Sequence, residues 1–202
     1  MSPNDRQPIV VADAGPLIRL AAAGLLDTLR GLNRRIVLVD RVQDEVCGDL
    51  SKPFAGEIAD WIDSMGTTIL RVPTVVGVGI DTLRTKQRSP EEDTLLKNTL
   101  RNSGEYALLE FVDNWRPTES SGAIVLYEDK KVATIFIGAD YPLTLMTTRT
   151  FAAIIVDWGI NVDAVTALEK IEGKYDLKPA LYGNVDPREP PDLRMLPQEF
   201  KR

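Results

Sequence analysis

Short apolar, β-branched runs recur along this chain, and apolar residues at helical spacing fill the intervals between them. PIVVAD (8–13) reads as a buried strand ending in a polar residue. LIRLAAAGLLDTLRGL follows with a helical period, Pro16 well placed near its start and a break near Gly24. IVLV is a second strand, and Asp40 after it is a good N-cap for RVQDEVCGDL. Pro53 opens a helix through Met65 with Ile58, Trp61 and Ile62 on one face, and Thr67–Val72 forms a third strand. Residues 73–103 are the least regular: PTVVGVGI reads as an extra strand or a loop, and the rest is strongly charged. A helix is expected over SGEYALLEFVDNW, a strand over 122–127, then a turn and a helix in EDKKVATIFIG. Leu143–Met146 forms a short last strand. TTRTFAAIIVDWG is a helix ended by Gly159, and NVDAVTALEKIEG another, capped at Asn161 and stopped at Gly173. Short apolar strands alternating with helices predict a three-layer α/β/α domain with a mostly parallel central sheet over 1–173, an inserted segment near 73–103, and a Pro-rich C-terminal extension over 174–202.

Composition narrows the chemistry. The 202 residues are 44% hydrophobic and 27% charged, enough for one core that needs no staple. Cys47 stands alone, which rules out an internal disulfide and suits a reducing compartment. The opening MSPNDRQPIVVADAG lacks a basic start followed by a long apolar run, and no stretch suits a membrane span. A cytoplasmic location without membrane contact is therefore expected. The absence of histidine excludes Ser-His-Asp and Cys-His triads, imidazole acid–base chemistry and His-ligated zinc. Hydrolysis here has to use carboxylates, hydroxyls, Lys or Arg, or a cation held by oxygen. A net charge of −6 argues against general nucleic-acid binding, although an acidic metal site would itself add to that charge.

In open parallel sheets, ligands bind beyond the carboxyl ends of the strands. Asp13 follows the first strand there, and Glu128-Asp129 follow the strand 122–127. Glu45 and Glu105 lie in helices that such a fold can bring alongside. Clustered carboxylates repel one another, and a divalent cation relieves the repulsion. Mg²⁺ takes hard oxygen ligands, keeps several waters and commonly bridges protein carboxylates to phosphate, so a carboxylate-only site is best suited to phosphodiester hydrolysis. Each acid also has an ordinary reading. Asp13 fits a turn before Gly15-Pro16, Glu45 a solvated helix face, Glu105 a partner of the helix dipole, and Asp129 a helix cap.

At these residues the sequence resembles the PIN-domain family, whose toxin members are metal-dependent ribonucleases. VVADAGPLIRLAAAGLLDTL resembles the family's opening Asp-x-Ser-Pro-Leu-Ile segment, with Gly15 where Ser is common. IVLVDRVQDEV resembles the second segment, SGEYALLEF the Gly-Glu helix start, and IVLYEDKKVA the strand-end acidic pair followed by a basic stretch. The resemblance covers most of residues 8–172. It implies a parallel-sheet α/β/α fold and catalytic, metal-holding acids at Asp13, Glu45, Glu105 and Asp129, with Glu128 the other candidate for the fourth place. It further implies Mg²⁺ or Mn²⁺, an RNA substrate, and in many relatives an antitoxin partner and a homodimer. The sequence departs from the family at Glu128, where Asp is frequent, and at LMTTRTF, which replaces a Gly-Thr pattern while leaving Thr147 and Thr148 able to face the site.

RNA approaching an acidic centre calls for basic groups beside it. Candidates are Arg19, Arg84, Lys86, Arg88, Arg149 and, directly after the acid pair, Lys130 and Lys131. The segment 80–102 would serve as a helical lid, a partner-binding arm or a solvated charged helix. The leading expectation is a Mg²⁺-dependent endoribonuclease acting as a toxin. Two alternatives stand beside it: a PIN-like RNA- or protein-binding regulatory module whose site has decayed, and a phosphoryl-transfer or response-regulator-like domain. The last lacks an Asp-x-Asp after the first strand, and VGVGID lacks the third glycine of a dinucleotide fingerprint.

Overall fold

The strands assemble because they have nothing polar to show. Ile9–Ala12 (β1), Ile36–Val39 (β2) and Ala123–Tyr127 (β4) are buried at every residue, as strands covered on both faces must be. In the computed structural model, which describes residues 8–114, 122–129, 132, 135–136 and 143–175, they join Ile69–Val72 (β3) and Leu143–Thr147 (β5) in a five-stranded sheet of order β3-β2-β1-β4-β5. Every pairing is parallel. The architecture is α/β, an all-parallel central sheet flanked by helices, as expected.

The sheet order contains a reversal. From β1 the chain steps outward to β2 and β3, then returns to the other side of β1 for β4 and β5. The crevice between the ends of β1 and β4 is the switch point at which open sheets bind ligands. Its geometry is held by register: Ala12 pairs with Leu126, and Asp13 N–H donates to the Leu126 carbonyl at 3.0 Å.

Helices α1 (Ala14–Ala22) and α2 (Asp27–Gly31) are separated at Gly24, which adopts φ +67°. Helix α3 (Asp40–Cys47) follows β2, and α4 (Ala55–Met65) buries Ile58, Trp61 and Ile62 as its spacing requires. The segment 73–103 corrects the sequence reading. PTVVGVGI is neither strand nor loop, because Val75–Thr85 forms helix α5. Its valines and glycines have weak helix preference, and three side chains from outside its hydrogen-bond ladder supply what propensity lacks. Thr74 Oγ1 accepts from Gly77 N. Asp40 accepts from Thr74 N at 2.9 Å and Thr74 Oγ1 at 2.8 Å. Glu110 accepts from Val75 N at 2.7 Å and Val76 N at 3.0 Å. Asp40 was expected to cap α3; instead Val39 holds the cap position and the Asp40 carboxylate mainly serves α5.

Helix α6 (Pro90–Leu100) opens with a capping box between Ser89 and Glu92 and with Pro90 in its first turn. Helix α7 (Ser103–Asn114) packs against α3 and α5. Helices α8 (Thr148–Asp157) and α9 (Ala164–Tyr175) pack on each other and on α1. Gly159, at φ +67°, follows α8 as expected, but α9 runs through the anticipated stop at Gly173. Of the helix expected after Asp129 only Val132, Ile135 and Phe136 are described, the first two as helical; Lys130, Lys131 and the arm beyond residue 175 lie outside the described residues. Among the described residues no helix is long and apolar enough to cross a membrane.

Candidate functional site

Four candidate acids come from four segments, and the charges of three of them act on the fourth, Asp13, at the switch point. Asp13 is placed by the end of β1, Glu45 by the second turn of α3, Glu105 by the first turn of α7, and Asp129 by the corner after β4. Asp13 is buried, and its carboxylate makes no N-cap bond into α1. Its pKa is pushed up to about 7. Burial is the largest cause, the neighbouring Ala14 N–H opposes it, and the charges of Glu45, Glu105 and Asp129 raise it further. Glu45 is exposed on one side and crowded on the other. That partial burial, then the charge of Glu105, raises its pKa against the opposing Lys52 and Arg41. The charges of Glu45, Glu105 and Asp129 thus each act on Asp13, and that of Glu105 acts on Glu45 as well.

Gly104 explains how α7 comes so close. A Cβ at this position would stand 3.3 Å from Glu45 Oε2, 3.8 Å from Val42 Cγ2 and 4.0 Å from Asp13 Oδ1. Both carboxylates therefore border the small space that glycine leaves empty, beside the positive end of a helix. Arg41, also buried, lines the same side. Its Nη1 lies 2.6 Å from Asp44 Oδ2, and its Nε donates to Ser103 Oγ at 3.4 Å. Gly104 and Arg41 were not singled out as site residues from the sequence. A glycine directly before a candidate ligand acid was the available signal for the first, and nothing local marks the second.

The other candidates separate by environment. Thr147 ends β5 opposite Tyr127, and its hydroxyl accepts from Thr150 N at 3.2 Å, capping α8. Thr148 is buried, and its Oγ1 makes no hydrogen bond. Arg149 pairs with Glu169 at 3.1 Å. Arg84 lies 3.6 Å from Asp44 and 3.5 Å from Asp81. Arg88 binds Asp93 at 2.6 Å and the Leu83 carbonyl, stitching α5 to α6, and Lys86 in that connection is exposed. Arg19 is buried in an ion pair with Glu128. Lys130 and Lys131 lie outside the described residues.

The donor chemistry suits a hard divalent cation: oxygen ligands only, mutually repelling, bordering a small space. Among the described residues, however, no three acid, Cys or His side chains already stand together at metal-holding distance. Searches with this chain match no family model, no curated protein and no solved structure.

Proposed function

We propose that the crevice is an acidic metal centre that hydrolyses phosphodiester bonds in RNA, and that the chain is a Mg²⁺- or Mn²⁺-dependent endoribonuclease of the PIN-domain kind, the toxin of a toxin–antitoxin pair. The observation that supports this most is that the charges of Glu45, Glu105 and Asp129, from three separate segments, all act on the buried Asp13 at the switch point of a parallel sheet. Asp13, Glu45, Glu105 and Asp129 would hold the ion. A bound Mg²⁺ would supply charge neutralisation for the phosphate and a lowered pKa for an attacking water.

The chain's own residues account for the rest. Asp13 lies deepest, Glu105 is half-buried, and Glu45 and Asp129 stand at the exposed rim, so the acidic centre opens to solvent on the side where a strand of RNA would arrive. With no imidazole in the chain, protons released in hydrolysis pass to solvent or to a rim carboxylate. Arg84 and Arg149 are both occupied by acids, so Lys86, Lys130 and Lys131 are the better candidates for binding backbone phosphate.

The deciding experiment is cleavage of tRNA and mRNA with and without Mg²⁺ or Mn²⁺. Cleavage abolished by EDTA and by Asp13→Asn is expected; cleavage unchanged in Asp13→Asn defeats the reading. The spread of the carboxylates favours one second reading, a PIN-like RNA- or protein-binding module that does not turn over. RNA binding without cleavage under any divalent cation would select it.

A further inference from the structure

The strand-end acids Glu128 and Asp129 sit in different surroundings. Glu128 has a side chain only 13% exposed, and its Oε2 lies 3.2 Å from Arg19 Nε. The same guanidinium, itself 11% exposed, reaches Glu172 Oε1 through Nη1 at 3.1 Å. One cation carried by α1 is thus shared by an acid from the β4 corner and an acid from α9. Gly15, one turn before Arg19, lies against the same side chain: a Cβ there would stand 3.0 Å from Glu128 Cβ and 3.1 Å from its Cγ. Any side chain at position 15 would press on Glu128, so the glycine makes room for it. Asp129, the next residue, is exposed, and its charge acts on Asp13.

We propose that Glu128 is a positioning residue and not a metal ligand: the Arg19–Glu128–Glu172 ion network ties the β4 corner to α1 and α9, and so presents Asp129 to the acidic centre. The proposal rests on the reading of that centre as a metal site. Consecutive side chains on a turn leave the backbone in different directions, so anchoring Glu128 sets the heading of Asp129. A guanidinium with acids on two of its nitrogens resists rotation in a way that a single contact does not. Removing it would leave two poorly solvated carboxylates without their shared cation, and the corner would move to rehydrate them.

The test is Mn²⁺ binding by the full chain, followed by electron paramagnetic resonance. Asp129→Asn should lose most of the affinity. Arg19→Ala and Glu128→Ala should each weaken binding by about 10–100-fold, as disturbed ligand supports do, and the double variant should be no worse than the poorer single one. Glu128→Gln keeps an oxygen that accepts from Arg19 and should bind nearly as the wild type does. Glu128→Gln falling as far as Asp129→Asn, or Arg19→Ala binding normally, would overturn the proposal. If Arg19→Ala does not fold, Arg19→Lys keeps the charge without the two-armed reach and gives the same comparison. Amide hydrogen exchange at Glu128 and Asp129, measured without metal, separates the two levels of the argument. Faster exchange in Arg19→Ala supports the clamp, and unchanged exchange removes it. A wild-type chain that binds no Mn²⁺ ends the metal reading, and the exchange data then decide the positioning claim alone.

Discussion

A carboxyl held up to about 7 by burial and by three neighbouring acids is largely protonated in the folded, metal-free chain at mildly acidic pH, while in the unfolded chain it ionises near 3.8. Between those values the folded state binds more protons than the unfolded state, so raising the pH lowers stability. Asp13 therefore contributes a loss of stability that develops from about pH 4 and is complete above about pH 7. Thermal unfolding without divalent cations should show the melting temperature of Asp13→Asn above that of the wild type at pH 8, with the difference shrinking toward pH 4. Each kcal/mol is worth about 2–4 °C for a domain of this size. A wild type that stays as stable as the variant across that range would refute the assignment of this pKa. Gly104 gives a second contrast. Gly104→Ala should leave stability unchanged or raise it by up to about 1 kcal/mol through helix preference. Its methyl would meanwhile stand 3.3 Å from Glu45 Oε2, so Mn²⁺ affinity should fall. Calorimetric titration beside a denaturation curve reads both effects.

Among the elements, α5 depends most on its neighbours. Its first turn is held by acids from two other helices, Asp40 of α3 and Glu110 of α7, and these same helices carry Glu45 and Glu105. The anchoring of the insertion and the placing of two site acids are thus mechanically one arrangement. Glu110→Ala removes the acceptor for two backbone N–H groups and should cost about 1.5–3 kcal/mol, the range for hydrogen bonds to a charged group. Hydrogen exchange should speed up in α5 before it does in the sheet. Ser89→Ala, which breaks the capping box of α6, should cost about 1 kcal/mol. Because α6 is exposed along most of its length, that change should leave RNA cleavage intact. Loss of cleavage in Ser89→Ala would mean that α6 takes part in substrate binding.

For the whole molecule, the proposed metal binding would be linked to folding. The acids come from β1, α3, α7 and the corner after β4, so an ion bound by all four joins segments from both sides of the switch point. Saturating Mg²⁺ should raise stability by RT ln(1 + [L]/Kd), about 2.7 kcal/mol at a hundredfold excess over Kd. The rise should be larger at pH 8 than at pH 5, because Asp13 must lose its proton to bind the ion. Asp13→Asn should abolish it. A melting temperature insensitive to Mg²⁺ and Mn²⁺ at pH 8 would count against the metal centre irrespective of any RNA assay.

The sequence by itself determined the strands and most helices, and marked the candidate acids, because those signals are local. IVVA and IVLV can only be buried, Gly24 and Gly159 end helical periods, and an acid after a buried strand stands at the sheet's binding edge. The resemblance to PIN domains points to the same four acids as candidates. Only the tertiary structure decided the rest. Helix α5 exists because Asp40 and Glu110, about 35 residues away on either side, cap a segment of poor helix formers. Arg19, Arg84, Arg88 and Arg149 read as phosphate binders until the fold sets an acid beside each. Glu128 and Asp129 are adjacent and chemically alike in the sequence. Their difference arises from what α1 and α9 place against them, and no pattern of neighbouring letters encodes a contact made across the sheet.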